Sequence, residues 1–348
     1  MKTKMITAAL AGCIALPAWA QSNVTIFGIA DIVFGYGKAG DQTFTGALGD
    51  GGLAGNRIGF KGSEDLGNGL KAVFLLEQGF GLGTGNFHRP GRTFSRQSWA
   101  GLQGGFGTVS LGYQYAPGYA IPGAFQVMGG SAAFAPRSML SFAGGYTIAP
   151  GSGARWDNAV RYAPPAMGGL EAQFIYAFHA SQSDDGNDPR RGDDDRWGVG
   201  LTYSAGPVKA GLAYHNVGPG SAADDTKELF VGGSYDLGVV KIVASWSKKD
   251  ADGSTAADNT LVSAGLVAPV GASGSVHLGF ARLNPEGDDN NGKAATFGYI
   301  HNLSKRTNVY AAFNRVEYDA NAPVAVAATV AAADEGANSI LAGMFHRF

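Results

Sequence analysis

The chain has 348 residues, with 26 Lys and Arg against 28 Asp and Glu, and this mildly acidic balance argues against nucleic-acid binding. Glycine is abundant at 55 residues. No run of 18 apolar residues occurs, which excludes a transmembrane helix.

The N-terminus has the pattern of a secretory signal peptide over residues 1–20. Lys2 and Lys4 supply the basic region, residues 5–16 the apolar region, and residues 18–20 a small-residue cleavage site for Sec-type export. Residues 10–13 also fit a lipoprotein-type site that would leave a lipidated Cys13, but the apolar run ahead of it is very short. Cleavage after residue 20 leaves 24 basic against 28 acidic residues, because Lys2 and Lys4 are lost, and no cysteine.

The remaining residues, 21–348, run through sixteen short segments in which apolar and polar residues alternate. In the first, at about 23–36, Val24, Ile26 and Phe34 share one face, whereas Thr25 and Asp31 share the other. Alternation with a period of two is typical of a strand with two different faces. It is equally clear at about 170–179, 196–203 and 240–247. In the third and twelfth segments it is disturbed by Val73, Leu75, Val262 and Leu266.

The connections between these segments alternate between tight turns and long loops. Tight turns lie at residues 63–68, 103–106, 163–168, 205–207, 236–238, 268–274 and 303–306. Long loops lie near residues 37–54, 81–93, 116–154, 182–195, 217–225, 249–258, 284–292 and 319–335. Both termini then lie on the side of the turns. This predicts an all-β fold, a sixteen-stranded antiparallel transmembrane β-barrel, because a sheet in lipid must close on itself.

Aromatic residues support a membrane-spanning barrel. Trp156, Trp197 and Trp246 fall at strand ends beside long loops, whereas Tyr162 and Tyr203 lie near turns, as expected for two interfacial girdles. The alternative is a soluble β-sandwich with surface aromatics. It would leave the outward Leu and Phe side chains as an apolar patch too large for a soluble monomer.

Six stretches spread over the mature chain carry more specific motifs. The most specific are residues 56–80 (NRIGFKGSEDLGNGLKAVFLLEQGF) and 94–115 (FSRQSWAGLQGGFGTVSLGYQY). The others are 23–31 (NVTIFGIAD), 158–169 (NAVRYAPPAMGG), 303–311 (LSKRTNVYA) and 344–348 (MFHRF). These stretches resemble the Gram-negative general porin family, in its β-proteobacterial branch.

This resemblance implies a homotrimer in the bacterial outer membrane, surrounded by membrane lipid and lipopolysaccharide. It implies a water-filled channel for passive diffusion of small hydrophilic solutes and ions. It also implies that the third long loop, residues 116–154, folds inward to narrow the channel. No cofactor is expected.

Charge is distributed unevenly around that third loop. No Asp or Glu lies between Glu77 and Asp157, whereas five arginines fall in the same window. Rings of Arg or Lys that line a pore favour anions, and low-dielectric walls focus the field of such charges. The sequence therefore predicts a channel that prefers anions, passing small anionic and neutral solutes.

Strand parity and the position of the third loop direct six cations to the pore constriction. Arg57 and Lys61, for example, alternate with the apolar Ile58 and Phe60. The predicted constriction residues are Arg57, Arg96, Arg155, Lys61, Arg161 and Arg137. The resemblance implies an arginine ladder on this wall, at positions matched by Arg57, Arg96 and Arg155. The alternative is that these arginines pair with Glu77, Asp31 and Asp157 and carry no field.

The third loop departs from the family pattern. Related porins often have acidic residues in this loop, and here it has none; they also often have Arg where Tyr113 stands. The loop is instead rich in aromatic residues, among them Tyr119, Phe125 and Phe142. Aromatic strips can guide sugars, so a substrate-specific sugar porin is the alternative function. Packing of these rings against the barrel wall is the simpler interpretation.

The chain ends on an aromatic residue in phase with its last strand. Ile340, Met344 and Phe348 share one face of that segment. The resemblance implies that the terminal Phe348 is the recognition signal for the barrel-assembly machinery of the outer membrane. The alternative is that Phe348 is only a girdle residue.

Other features point to no catalytic or metal site. The acidic residues of the loop 184–195 make a calcium site conceivable, with a solvated loop as the alternative. The six histidines show no metal-ligand spacing. An outer-membrane barrel enzyme would need a nucleophile and a base held by a third group. His215, His277 and Ser247 offer such groups, but no motif joins them, so no catalytic residue is predicted.

Overall fold

The computed structural model describes residues 23–48, 51–178, 194–218, 225–251, 258–324 and 334–348. Its strands form one antiparallel sheet that closes on itself, because the first strand pairs with the last. The strands are β1 (Asn23–Ala39), β2 (Gln42–Leu48), β3 (Arg57–Gly67), β4 (Leu70–Gly79), β5 (Gln97–Gly104), β6 (Gly107–Tyr115), β7 (Arg155–Ala163), β8 (Leu170–Ala177), β9 (Arg196–Ala205), β10 (Val208–Val217), β11 (Thr226–Asp236), β12 (Lys241–Asp250), β13 (Asn259–Val270), β14 (Gly274–Pro285), β15 (Gly292–Asn302), β16 (Thr307–Tyr318) and β17 (Gly336–Arg347).

Strands β2 and β3 together make a single strand of the wall. The later half of β1, from Val33 to Ala39, pairs with β2, and its earlier half, from Asn23 to Ile29, pairs with β3. Since β2 and β3 follow each other along the same edge of β1, the wall has sixteen strand positions. The sequence prediction of a sixteen-stranded antiparallel barrel is confirmed.

The first predicted long loop, 37–54, is wrong in its extent. The chain turns at Gly40, whose φ of 52° favours glycine, and Gln42–Leu48 returns at once as β2. Residues 51–56 then leave the wall before β3 begins. The amide of Ala54 donates to the carboxylate of Asp31 at 2.8 Å, and Ser131 donates to the carbonyl oxygen of Gly52. The residues taken for a surface loop therefore divide between the wall and the interior.

Side chains alternate between an exposed outer face and a buried inner face. In β12, Ile242, Ala244 and Trp246 are exposed, whereas Val243 and Ser247 are buried. The same alternation exposes Phe280, Phe297 and Ile340 on other strands. This apolar outer band is the face that lipid covers in a transmembrane barrel. Among the described residues, no helix is both long and apolar enough to cross a membrane.

Trp156 does not belong to the outer girdle predicted for it. A bulge in the pairing of β6 with β7 lies next to Asn158, whose φ is 51°. A bulge adds one residue to a strand and so reverses which side chains face inward. Trp156 is accordingly buried on the inner side, where it packs with Ala116 and Ile175. Trp197 and Trp246 are exposed on the outside, as predicted.

Within the described residues, all helices lie in the third loop, residues 116–154. They are α1 (Pro117–Ala120) and α2 (Pro136–Ala143), with short 3-10 turns at Ile121–Phe125, Met128–Gly130 and Ser152–Ala154. Both α-helices begin with proline, whose fixed φ suits the first helical position and whose missing N–H costs nothing there.

The third loop packs against inward-facing groups of the opposite wall. The amide of Gly118 donates to Nε2 of His215 at 3.0 Å, and Thr296 donates to the carbonyl oxygen of Phe134 at 2.7 Å. Both wall residues lie on the buried faces of their strands. The loop therefore occupies the interior of the barrel. The largest buried cluster lies between loop and wall, and includes Val127, Met128 and Phe134 with Tyr310 and Leu341.

Candidate pore constriction

A single buried carboxylate organises the arginine-rich wall. Glu77, near the end of β4, accepts a hydrogen bond from Nε of Arg96 at 2.5 Å and lies 3.5 Å from Nη1 of Arg57. The hydroxyl of Tyr115 donates to the same carboxylate oxygen at 2.9 Å. Arg57 opens β3 and Arg96 immediately precedes β5, so neighbouring strands bring all three charges together.

Two stacked tyrosines hold the guanidinium groups. The rings of Tyr115 and Tyr119 lie parallel with their centroids 3.7 Å apart. Cζ of Arg155 lies 5.8 Å from the centroid of Tyr115 and 5.4 Å from that of Tyr119. Arg96 stands 5.9 Å from each ring and also donates to the hydroxyl of Tyr119. Cation–π contacts of this kind orient a planar guanidinium without neutralising it.

The cluster carries a net positive charge. The guanidinium groups of Arg57 and Arg96 lie at the carboxylate of Glu77, and that of Arg155 joins them across the rings of Tyr115 and Tyr119. Arg155 is 6% exposed, and its Nε and Nη1 find no hydrogen-bond partner within the described residues.

Tyr119 lies in the third loop, outside the spanning strands. Burial alone would raise the pKa of its phenol. The charges of Arg96, Arg57 and Arg155 lower that pKa, and the lowering prevails.

The other predicted constriction residues lie apart from this cluster. Lys61 is exposed on β3, with Nζ 5.4 Å from the ring centroid of Phe27. Arg161 is half-buried on β7 and donates from Nε to Oε1 of Gln173 at 2.9 Å. Both are inward-facing but belong to a different level of the wall from Arg96.

Arg137 does not lie at the surface of the lumen, and the prediction that it lines the pore needs correction. It is 1% exposed and donates from both Nη atoms to the carbonyl oxygen of Ile148 at 3.1 Å. Nη2 also donates to Ser247, and Cζ lies 4.8 Å from the ring centroid of Phe230. Helix α2 turns this side chain toward the wall. Arg137 therefore stabilises the packing of the third loop against β12 and does not face the pore.

Acidic partners account for some of the arginines but not all. Arg92 forms a two-pronged pair with Asp157, with distances of 2.6 and 2.8 Å. Asp31, proposed as another partner, instead accepts hydrogen bonds from Tyr310 and from the amide of Ala54. The pairing alternative therefore holds for Arg92 with Asp157 and in part for Arg57 and Arg96, which share the single carboxylate of Glu77, and an excess of positive charge remains.

Tyr115 and Tyr119 are members of the site that the charge pattern did not reveal. A signal was present, because Tyr113 and Tyr115 alternate at the end of β6 and Tyr119 follows within the first helix of the third loop. Tyr113, where related porins often have Arg, accepts a hydrogen bond from Nη1 of Arg89 at 3.0 Å. Arg89, from the loop at residues 81–93, thus brings a guanidinium to the place where related porins often have an arginine on the strand.

A second carboxylate, Glu228, is used to fix the third loop and does not face the lumen. It is fully buried and accepts hydrogen bonds from the amides of Thr147 and Ile148, each at 2.8 Å. Lys249 donates to the carbonyl oxygens of Gly144 and Gly145 beside it, at 3.2 and 3.0 Å. Acidic and basic wall residues on this side are therefore engaged with the loop backbone.

Most of the acidic loop 184–195, including Asp184, Asp185 and Asp193, lies outside the described residues. Among the residues with a described placement, no group of His, Cys, Asp or Glu could hold a metal ion. The calcium hypothesis for this loop therefore stays a prediction.

A closed β-barrel with an apolar outer band, an inserted loop and a cation-rich wall is the architecture of a transmembrane channel. The family model described as Gram-negative porin matches residues 7–321. Outer membrane porin protein 32 of Delftia acidovorans is 35% identical over 311 residues, which cover 84% of this chain and 83% of that protein. An outer membrane porin protein of Bordetella pertussis is 30% identical, over 89% of this chain and 93% of that protein.

Among solved structures, an anion-selective porin from Comamonas acidovorans has the same fold. It superposes with a TM-score of 0.77 at 30% identity, and the match covers 94% of this chain and 100% of that one. The chain belongs to the Gram-negative porin family. It is an outer-membrane channel for passive diffusion, and porins are channels rather than enzymes.

Proposed function

We propose that this porin prefers anions and that Arg57, Arg96 and Arg155 set the preference. The observation that carries the proposal is the excess of guanidinium groups over carboxylates around Glu77. The anion selectivity of the similar Comamonas porin supports it. Small anionic and neutral solutes are the expected permeants.

The arrangement explains how positive charge persists on this wall. The Tyr115–Tyr119 stack supplies π faces to Arg96 and Arg155, which orient their cations without cancelling the charge. Glu77 neutralises only one of three guanidinium groups. Within low-dielectric walls the remaining charge acts over several ångströms and raises the local anion concentration. Lys61 and Arg161 add positive charge to other levels of the wall.

Arg155 is the arginine of the cluster whose charge is least cancelled by an acid. Its Nε and Nη1 are buried and have no acceptor within the described part of the chain, so no carboxylate cancels the charge of this guanidinium. Arg96, by contrast, is bound to both Glu77 and Tyr119. Both arginines act on a passing anion through their field, and the field of Arg155 is the less compensated of the two.

The test is the reversal potential of reconstituted channels in a potassium chloride gradient. The reversal potential of the wild type should lie toward the equilibrium potential of chloride. Arg155→Gln should move the reversal potential toward zero. Lys248→Gln, a matched loss of one positive charge on the outer face of β12, should leave it in place. A wild type that prefers potassium would contradict the proposal.

A sugar-specific channel receives less support from the third loop. Phe125, Phe134 and Tyr146 are buried against the wall, so these rings pack the loop and offer no strip to a sugar. The Tyr115–Tyr119 stack is likewise covered by arginines on its faces. Equal permeation by neutral sugars of equal size would agree with this interpretation.

We also propose how the chain reaches its working state. Residues 1–20 are a signal peptide removed during Sec-type export, and the mature barrel assembles as a homotrimer among outer-membrane lipid and lipopolysaccharide. Phe348 is the signal read by the barrel-assembly machinery. In support, Phe348 sits at the closing seam, where its backbone N–H and C=O pair with those of Gly28 at 3.2 and 3.1 Å.

A further inference from the structure

The outer face of the wall carries a row of basic side chains close to the rim of the long loops. Arg282 on β14 and Lys293 on β15 are direct cross-strand partners, and both are exposed. Arg315, one strand further on, is directly opposite Ala295 and is also exposed, with half of its side-chain surface free. These three residues form a basic row on the lipid-facing side.

The basic row is only partly balanced by its own neighbourhood. Side chains directly opposite each other have Cβ atoms roughly 5 Å apart, and like charges at that spacing are destabilising. Of the two acids nearby, Glu317 lies directly opposite Lys293 on β16 and forms its ion pair with Arg315, at 2.6 Å. Asp319 accepts hydrogen bonds from the amide and the side chain of Asn291, at 3.0 and 2.9 Å. Among the described residues, Arg282 and Lys293 form no ion pair within 4 Å, so the pair favours an anion from outside the chain.

An apolar groove lies directly below the basic row. Its volume is about 560 Å³. It is lined by small side chains, among them Ala244, Ala264 and Ala295, and by larger apolar ones, among them Leu266, Phe280 and Phe297. Phe280 precedes Arg282 by two residues, or roughly 7 Å along the strand, so groove and row are continuous.

The orientation of the barrel places these features in the outer leaflet. Long loops of outer-membrane barrels are extracellular, and the basic row lies at that end of β14, β15 and β16. The row is then at the depth of lipid headgroups and the groove at the depth of acyl chains. A lipid that fits must combine phosphate groups with acyl chains on the extracellular side.

We propose that Arg282, Lys293 and Arg315 bind the phosphate groups of an outer-leaflet lipopolysaccharide, with one of its acyl chains in the groove. Charge complementarity selects this occupant, since Arg and Lys bind phosphate through charge-assisted hydrogen bonds. The proposal adds a lipid site at a defined place on the wall. It depends on the outer-membrane location of the protein and not on the anion preference of its pore.

The test is a binding titration of the full mature porin, depleted of lipid and held in a mild detergent, with purified lipopolysaccharide. We expect the double variant Arg282→Gln/Lys293→Gln to weaken binding roughly tenfold or more. Ala264→Phe, which fills the groove and keeps every charge, should weaken it as well. Lys227→Gln is the matched control, because Lys227 is exposed on the same rim but faces Asp250 across the strands, and it should change binding less than twofold.

Two further measurements separate the possible occupants. Lipopolysaccharide stripped of its phosphates should bind the wild type as weakly as intact lipopolysaccharide binds the double variant. Ala295→Cys, the single cysteine of that mature chain, should not form crosslinks between copies in the trimer. Undiminished binding by the double variant, equal competition by phosphatidylglycerol, or efficient crosslinking at position 295 would each overturn the proposal. Reversal potentials should be unchanged in all these variants, which keeps this test independent of pore selectivity.

Discussion

The guanidinium of Arg155 lies over the ring of Tyr119, with its Cζ atom 5.4 Å from the ring centroid. The two residues come from opposite ends of the third loop, since Tyr119 lies in its first helix and Arg155 opens the strand that follows it. The contact therefore ties the base of the loop together at the arginine cluster.

Removing the carboxylate of the cluster should strengthen anion preference. Glu77→Gln takes away the one negative charge among Arg57, Arg96 and Arg155, so the reversal potential in a potassium chloride gradient should move further toward the chloride value. The change should also destabilise the barrel by about 3–5 kcal/mol, because it leaves buried guanidinium groups without their counter-charge. Glu171→Gln, on a part of β8 far from the cluster, is the control. A reversal potential equal to that of the wild type would show that Glu77 does not weaken the field.

Anion preference should fall at alkaline pH, because of Tyr119. Burial opposes ionisation of its phenol, but Arg96, Arg57 and Arg155 lower its pKa below the ordinary tyrosine value. As the pH rises through that lowered pKa, Tyr119 gains a negative charge next to the arginines and reduces their net charge. Reversal potentials measured from pH 6 to about pH 9.5, just below the ordinary tyrosine pKa, should show the loss. Tyr119→Phe should keep its preference over the whole range, whereas Tyr162→Phe, on the outer face, should behave like the wild type.

Arg137 should matter for stability more than for selectivity. It is buried between the third loop and the wall, bound to Ile148 and Ser247, so Arg137→Met should lower the unfolding temperature of the barrel. It should shift the reversal potential less than Arg155→Gln does. Heat-dependent gel migration and planar-bilayer recordings measure the two effects separately. If Arg137→Met shifted selectivity as far as Arg155→Gln, its assignment as a loop fastener would fail.

Deleting Phe348 should lower the amount of folded barrel in the outer membrane. The residue ends the strand that closes the barrel against β1, and its loss removes both the two backbone hydrogen bonds to Gly28 and the terminal aromatic. Phe348→Tyr, which keeps the backbone and an aromatic ring, should assemble normally. The measurement is the heat-modifiable band in outer-membrane fractions. Normal amounts of the deletion variant would mean that Phe348 is a girdle residue only.

The sequence by itself determined the sixteen-strand count, the seven tight turns and the arginine-rich window between Glu77 and Asp157. These features are local: a period of two assigns side chains to faces, and turn residues mark where strands end. Even β4 and β13, where Val73 and Val262 disturb the alternation, form continuous paired strands. Local patterns also place Arg57 on the inner face, although they do not give its partners; Arg96 precedes β5, and its contact with Glu77 comes from the fold.

Only the tertiary structure decided which cations act together. The bulge beside Asn158 turns Trp156 inward, and one extra residue of this kind leaves no mark on a pattern of alternation. The third loop crosses the barrel before it meets Ser247 and Glu228, so the burial of Arg137 depends on contacts between residues more than a hundred positions apart. The same long-range packing gathers Arg57, Arg96 and Arg155 around Glu77. The sequence shows that many positively charged residues are present, and the fold decides which of them lie close enough to the pore to attract anions.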